Sequence, residues 1–148
     1  MTTNQGEYVM KTYLIIILSL VIVVAGCSNG QKVNQDIADT KWHLEQLNGH
    51  DLIPTLHKEI TIEIGDEDLR GYGGCNYFGS HGKFSMKSNR ITIESIESSA
   101  KSCSTEIDKQ ETAFYRALKN AKTYQLNGNY LEFYNDSNEL VLLFTKIE

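Results

Sequence analysis

An α+β fold is predicted: a strongly curled antiparallel sheet, an open or partial β-barrel of about seven or eight strands, with one helix inserted before the C-terminal strands. Three observations predict it. Most apolar runs alternate with period two. They are short and bounded by Asn, Gly, Asp and Ser. One late stretch changes to a spacing of three to four. A single helix is too small to cover that many strands laid flat, so the sheet must curl to bury its inner face.

Taken in order, Trp42 and Leu44 alternate with His43 and Glu45 up to Leu47, where Asn48-Gly49 signals a turn. In Glu59–Ile64 the residues Ile60, Ile62 and Ile64 share one face, and Ile91 and Ile93 repeat the pattern in Arg90–Glu94. Ser104 or Thr105 can cap a helix of about 16 residues, with Glu106 and Asp108 in its first turn and Lys119 and Lys122 near its end. Its apolar stripe runs through Ile107, Gln110/Glu111, Phe114, Leu118 and Ala121; Asp108 and Glu111 read as surface charges. The runs Tyr124–Leu126, Tyr130–Tyr134 and Leu140–Thr145, parted by Asn127-Gly128-Asn129 and Asn135–Asn138, read as a meander of hairpins. Leu140–Phe144 is apolar on both faces, as in a central strand or one covered by the helix.

The composition fits a folded domain. Of 148 residues, 41% are hydrophobic and 22% charged, which excludes a disordered chain, and one Pro with 11 Gly excludes a fibrous one. A net charge of −5 lacks the basic surplus of a nucleic-acid binder, and no nucleic-acid partner is expected.

The apolar residues are concentrated near the N-terminus. Lys11 precedes a run from Tyr13 to Gly26 broken only by Ser19, which matches a secretory signal peptide beginning at Met10 or, with a longer leader, at Met1. The run falls short of the ~20 residues of a spanning helix. Its end, Val24-Ala25-Gly26-Cys27, resembles a bacterial lipobox. That resemblance implies cleavage before Cys27, a diacylglyceryl thioether on its sulfur and a further acyl chain on its amine. Two or more chains hold a protein stably on a bilayer, where one holds it only reversibly. Residues 1–26 are thus expected to be a lipoprotein signal peptide, 27–39 a polar tether spanning roughly 20 Å, and 40–148 the domain.

With Cys27 lipidated, Cys75 and Cys103 remain, and export would place them in an oxidising compartment where a disulfide is the simplest outcome. A reactive thiol, with His81 six residues from Cys75, is the alternative, although no CxxC spacing is present.

The stretch Gly71-Tyr-Gly-Gly-Cys-Asn-Tyr-Phe-Gly79 implies backbone with positive φ or close approach: a tight turn stapled by Cys75, or an anion-binding nest. With its surroundings it resembles the META domain, the fold of HslJ-type heat-shock lipoproteins. Gly74-Cys75-Asn76-Tyr77-Phe78 is similar to the family's G-C-N-x-[FY] motif, and Ser99-Ala-Lys-Ser-Cys103 to its T-x-x-x-C motif. Glu111, Phe114 and Leu118 fit an E-x-x-F-x-x-x-L helix; Trp42-His-Leu44 resembles the opening strand and Tyr124 through Phe144 the closing ones. Ser99 stands where Thr is usual, and Ser80 where Gly commonly follows the aromatic. The resemblance implies structural roles for Gly74, Asn76, Phe78 and Ser99 and brings no catalytic set, cofactor or metal. It implies an exported or envelope lipoprotein linked to heat shock, antibiotic tolerance, motility or secretion.

Other constellations are weaker. His43, His50 and His57 are seven apart, an odd spacing that puts them on alternate faces of a strand, and Asn48-Gly49 with Pro54 argues against a helix that would align them; Asp66-Glu67-Asp68 lacks calcium-loop spacing. Tyr72, Tyr77, Tyr124, Tyr130 and Tyr134 are a richer signal: either the amphipathic outer face of strands or an interaction patch. The expectation is therefore a non-catalytic lipoprotein held on the cell membrane or outer membrane through acylated Cys27. It would support the envelope through an unknown protein partner. The alternatives are a small apolar ligand binder with a cavity lined by Trp42, Phe78, Phe84 and Ile93, or a hydrolase or redox enzyme using Cys75, Cys103 or His81.

Overall fold

Strand β1, Thr40–Leu47, turns Trp42 and Leu44 inward and sets His43 and Glu45 outward, as its alternation requires. The computed structural model describes residues 36–55 and 58–147. The expected signal peptide, Cys27 and residues 27–35 of the expected tether lie outside them, as does His57. After β1 come β2 (His50–Asp51), β3 (Thr61–Ile64), β4 (Leu69–Tyr72), β5 (Tyr77–Lys87) and β6 (Arg90–Ser98). Helix α1 (Thr105–Asn120) follows, then β7 (Thr123–Asn127), β8 (Tyr130–Tyr134) and β9 (Leu140–Lys146).

All pairings are antiparallel, and the sheet closes in a ring. β1 uses one edge for β3 (Thr40–His43) and for the short β2 (Gln46, Leu47), and the other for β9, where His43 opposes Thr145. The ring continues β3-β4-β5-β6-β7-β8-β9. Its thinnest seam is β6–β7, a single facing pair, Arg90 and Thr123, reinforced by backbone bonds from Ile91 N to Lys122 O (3.0 Å) and Tyr124 N to Asn89 O (2.9 Å). Among the described residues α1 is the one helix, inserted before the last three strands as the sequence predicts.

Among the described residues nine strands form where seven or eight are expected, because the glycine-rich stretch read as a turn is only a turn at its centre. Gly71 belongs to β4 and Gly79 to β5, and the two strands pair through Gly71 and Phe78. The Asn48-Gly49 turn has φ of 52° and 73°, the left-handed pair that a two-residue hairpin needs. β9 lies between β8 and β1, one of the two placements its two-faced apolarity allows.

The core fills the inside of the ring. Trp42, Leu44, Ile60, Ile62, Ile64, Met86, Leu131, Phe133 and Phe144 are essentially inaccessible, and from α1 Phe114 and Leu118 join them. Phe114 stands edge-on to Phe78 (5.6 Å) and Phe144 (6.5 Å). Trp42, Phe78, Phe84 and Ile93, named above as the lining of a ligand cavity, are all members of this packed cluster. The domain also begins earlier than residue 40. Ile37 is completely buried, its carbonyl accepts the Thr40 hydroxyl, and Asp39 N donates to Ile64 O (2.8 Å). This isolated apolar residue in a polar stretch is a core residue reached by a local turn.

Candidate functional site

The motif residues converge on one side of α1. Gly74 takes φ +111°, a conformation strained for any side chain, and turns the chain so that the next two backbone N–H groups point at the helix. Glu111 meets them. Its Oε1 accepts from Cys75 N (3.1 Å) and Asn76 N (2.7 Å), and its Oε2 from Asn76 Nδ2 (2.7 Å). Asn76 turns its other face to the β6–α1 connection: Oδ1 accepts from Ser99 Oγ (2.9 Å) and Lys101 N (2.8 Å), and Nδ2 also donates to Lys101 O (3.1 Å). Cys75 is joined to Cys103 in a disulfide, so turn, connection and helix are tied together covalently and by hydrogen bonds. Phe78 packs on Phe114 and Tyr115.

Glu111 is therefore not the surface charge expected from the sequence; it is buried. The anion nest considered for this turn does exist, and the carboxylate it holds is the chain's own. Gly73 is needed for it, because a Cβ there would lie 2.7 Å from Glu111 Oε1 and 2.4 Å from the Tyr115 hydroxyl. Beside Glu111 on the helix, Gln110 grips Ile53 at both backbone atoms, accepting from its N (2.7 Å) and donating to its O (3.0 Å), which docks the β2–β3 loop on α1. Ser80, a departure from the family pattern, accepts from Leu69 N at 3.0 Å and pins the start of β4.

Tyr115 supplies a pH test of this cluster. Burial chiefly, and the Glu111 carboxylate beside it, push its hydroxyl well above the ordinary tyrosine value. Because the raised value belongs to the folded state, its contribution to stability is complete below about pH 10 and is lost as pH rises above it. Urea midpoints measured from pH 8 to pH 11 are expected to fall less steeply for Tyr115→Phe than for the wild type. Burial of Tyr124 and Tyr134 leaves a residual slope. Identical slopes in the two proteins would remove the assignment.

The remaining candidates are dispersed. With the sulfurs joined, Cys75 and Cys103 offer no thiol, and His81 pairs with Glu97 (3.4 Å). Asp108, close to both sulfurs, accepts from Cys103 N at 3.0 Å. His43 lies near Glu45 (3.7 Å) on β1, and His50 is exposed on β2. Of the acidic run, Asp66 and Glu67 are exposed in the β3–β4 turn, and Asp68 pairs with Arg70 (3.4 Å). No helix among the described residues is long and apolar enough to cross a membrane.

Two aromatic areas stand on the outer wall. On β8 and β9, Tyr130 is 49% exposed, while Tyr134 donates to Glu132 (2.9 Å) and Leu143 lies half-buried opposite Glu132. On β4 and β5, Tyr77 is 56% exposed and meets Tyr72 edge-on at 5.2 Å. Lys58 donates to the Tyr77 hydroxyl and lies over that ring at 4.9 Å from its centre. Its ammonium holds the Tyr77 hydroxyl below the ordinary value. A hollow of about 330 Å³ beside these rings is lined also by Lys41, Thr61 and Arg70. Tyr124, the fifth tyrosine singled out above, is buried in the core.

The sequence model of the META domain matches residues 35–148, most of the chain and all of its sheet. The chain belongs to the META domain family. The boundary at residue 35 agrees with the burial of Ile37. Two solved structures share the META fold. One, an NMR structure of a protein from Burkholderia xenovorans, is 21% identical, with a TM-score of 0.60 over 76% of this chain and 85% of that one. The other, also an NMR structure, is 17% identical, with a TM-score of 0.58 over 74% of this chain and 91% of that one. At these identities the likeness is one of fold. No curated protein matches the chain.

Proposed function

We propose that this META protein is an exported lipoprotein, held on the outside of a membrane through acylated Cys27. Its non-catalytic domain supports envelope integrity and tolerance of stress by contact with another envelope protein. The observation that carries this reading is the division of the domain into a side-chain-filled interior and large tyrosines left standing on its outer wall, Tyr77 and Tyr130. An interior filled by the chain's own residues favours surface contact over the enclosure of an apolar ligand. Exposed tyrosine joins apolar area to a polar tip, the combination enriched at protein interfaces. The lipobox and the Cys75–Cys103 disulfide both suit an oxidising compartment outside the cytosol.

The test has two arms. Cells fed an alkyne-bearing fatty acid are expected to label the wild type and not Cys27→Ser, and a strain lacking the protein is expected to regain stress tolerance only with the acylated form. A photocrosslinking amino acid at position 130 is expected to capture one envelope protein, whereas the same group at exposed Lys109 captures none. Equal labelling of Cys27→Ser would end the anchor reading, and an unreactive position 130 would end the assignment of the contact surface.

A further inference from the structure

We propose that the face formed by Lys41, Lys58, Tyr72, Tyr77 and Lys101 is a membrane-facing surface that docks the domain on anionic lipid headgroups. This rests on the acyl anchor proposed above. The first support is charge. The chain carries a net −5, yet cations gather at Tyr77: Lys58 bonds its hydroxyl, Lys41 lines the same hollow, and Lys101 follows two residues after Ser99, whose N–H donates to Tyr77 O. None of these three lysines forms an ion pair among the described residues; Glu63, opposite Lys41, and Asp68 both sit on Arg70 (2.6 and 3.4 Å), and Glu59 is the exposed acid beside Lys58. An acidic body is oriented by an anionic plane when lysines gather on the side it presents: they are drawn to the plane and the acidic remainder is repelled.

The second support is where the chain to the anchor joins the domain. Only residues 28–35 separate Cys27 from the first described residue, a reach of at most about 30 Å even when extended. That chain meets the sheet at Asp39, bonded to Ile64 and close to Arg70. Lys41 follows two residues later, opposite Glu63, which in turn faces Arg70. In the adjacent row Thr61, Tyr72 and Tyr77 face one another across β3, β4 and β5. The tether therefore ends at the border of the cationic, aromatic face and holds that face within reach of the headgroups. The third support is side-chain chemistry. Tyrosine rings with their hydroxyls outward, flanked by lysines on long apolar stems, suit the boundary between headgroup and acyl chain.

The test uses the full lipidated chain carrying Tyr77→Trp as a reporter, reconstituted into phosphatidylcholine vesicles with and without phosphatidylglycerol, both with brominated acyl chains. Trp42, the one native tryptophan, is completely buried and serves as the unquenched internal control and folding readout. Three lysines near an anionic surface favour the docked orientation by on the order of 100-fold. The indole at position 77 is thus expected to be strongly quenched only when phosphatidylglycerol is present. It should be released in 1 M salt, where screening extends about 3 Å, and in the Lys41→Glu/Lys58→Glu/Lys101→Glu variant. The mass of the Cys27 peptide reports the anchor independently. An unacylated Cys27 overturns the anchor and, with it, this proposal. An acylated chain whose position-77 reporter is unquenched, or equally quenched in both lipids, overturns the docking alone. Capture of an acidic protein from position 77 without quenching would reassign the face to that partner.

Discussion

Glu111→Ala is expected to destabilise the domain by about 4 kcal/mol, measured as a fall in the urea midpoint without change in slope. The carboxylate satisfies three donors at once: the backbone N–H groups of Cys75 and Asn76 and the side-chain amide of Asn76. Both residues are about 95% buried, so solvent cannot readily replace what the carboxylate provides. Each donor left unpaired costs about 1–3 kcal/mol, and partial rearrangement keeps the total below the simple sum. Against a stability of about 5–15 kcal/mol for a domain this size, the loss would bring the protein near its folding threshold. Glu111→Gln keeps one acceptor for the two backbone groups but sets an amide N–H₂ against Asn76 Nδ2, so about half the loss is expected. A Glu111→Ala protein within about 1 kcal/mol of the wild type, the size of one ordinary hydrogen bond, would show that the polar cluster is incidental to stability.

The second large effect concerns the disulfide. Cys75 and Cys103 are 28 residues apart in sequence. Releasing that loop returns about 3.5 kcal/mol of chain entropy to the unfolded state. The Cys75→Ala/Cys103→Ala double variant is expected to unfold at correspondingly lower urea, and the wild type in reducing buffer should behave similarly. The two effects should not add. Cys75 carries both the sulfur bridge and one of the N–H groups bound by Glu111, and the bridge anchors the connection whose Lys101 backbone bonds Asn76. A double-mutant cycle is therefore expected to give a coupling of about 0.5–3 kcal/mol. Strict additivity would mean that bridge and carboxylate stabilise separate parts of the fold.

These two effects locate what is legible in the chain before it folds. Strands such as Ile60-Ile62-Ile64 and the helix from Ile107 to Leu118 declare themselves through periodicity, because one face of each must leave water whatever lies opposite. A helix cap at Ser104 or Thr105, of which the structure uses Ser104, and the pairing of the cysteines are equally readable. Glu111 reads as a surface charge by residue type, although its position carries a contrary signal. It stands four residues after Ile107 and three before Phe114, on the buried stripe, where a carboxylate has to find donors. Ile37 reads only as an isolated apolar position in a polar tether, because a single apolar residue has no period to assign it to the core. β4 and β5 are hidden by glycines, which weaken strand propensity while permitting the close backbone approach used here.

The linear chain by itself determined the period of each element, the positions of turns, the cysteines available for pairing and the family motifs, since each depends on residues within a few positions of one another. Tertiary structure alone decided that β1 closes the ring against β9 and that Asn76 turns its backbone to a carboxylate 35 residues away. It also decided that Lys58 lies on Tyr77. Those contacts exist only after the sheet has curled. Closure brings together residues whose separation in sequence carries no periodic signal, and only then does a charge become buried or a tyrosine remain outside.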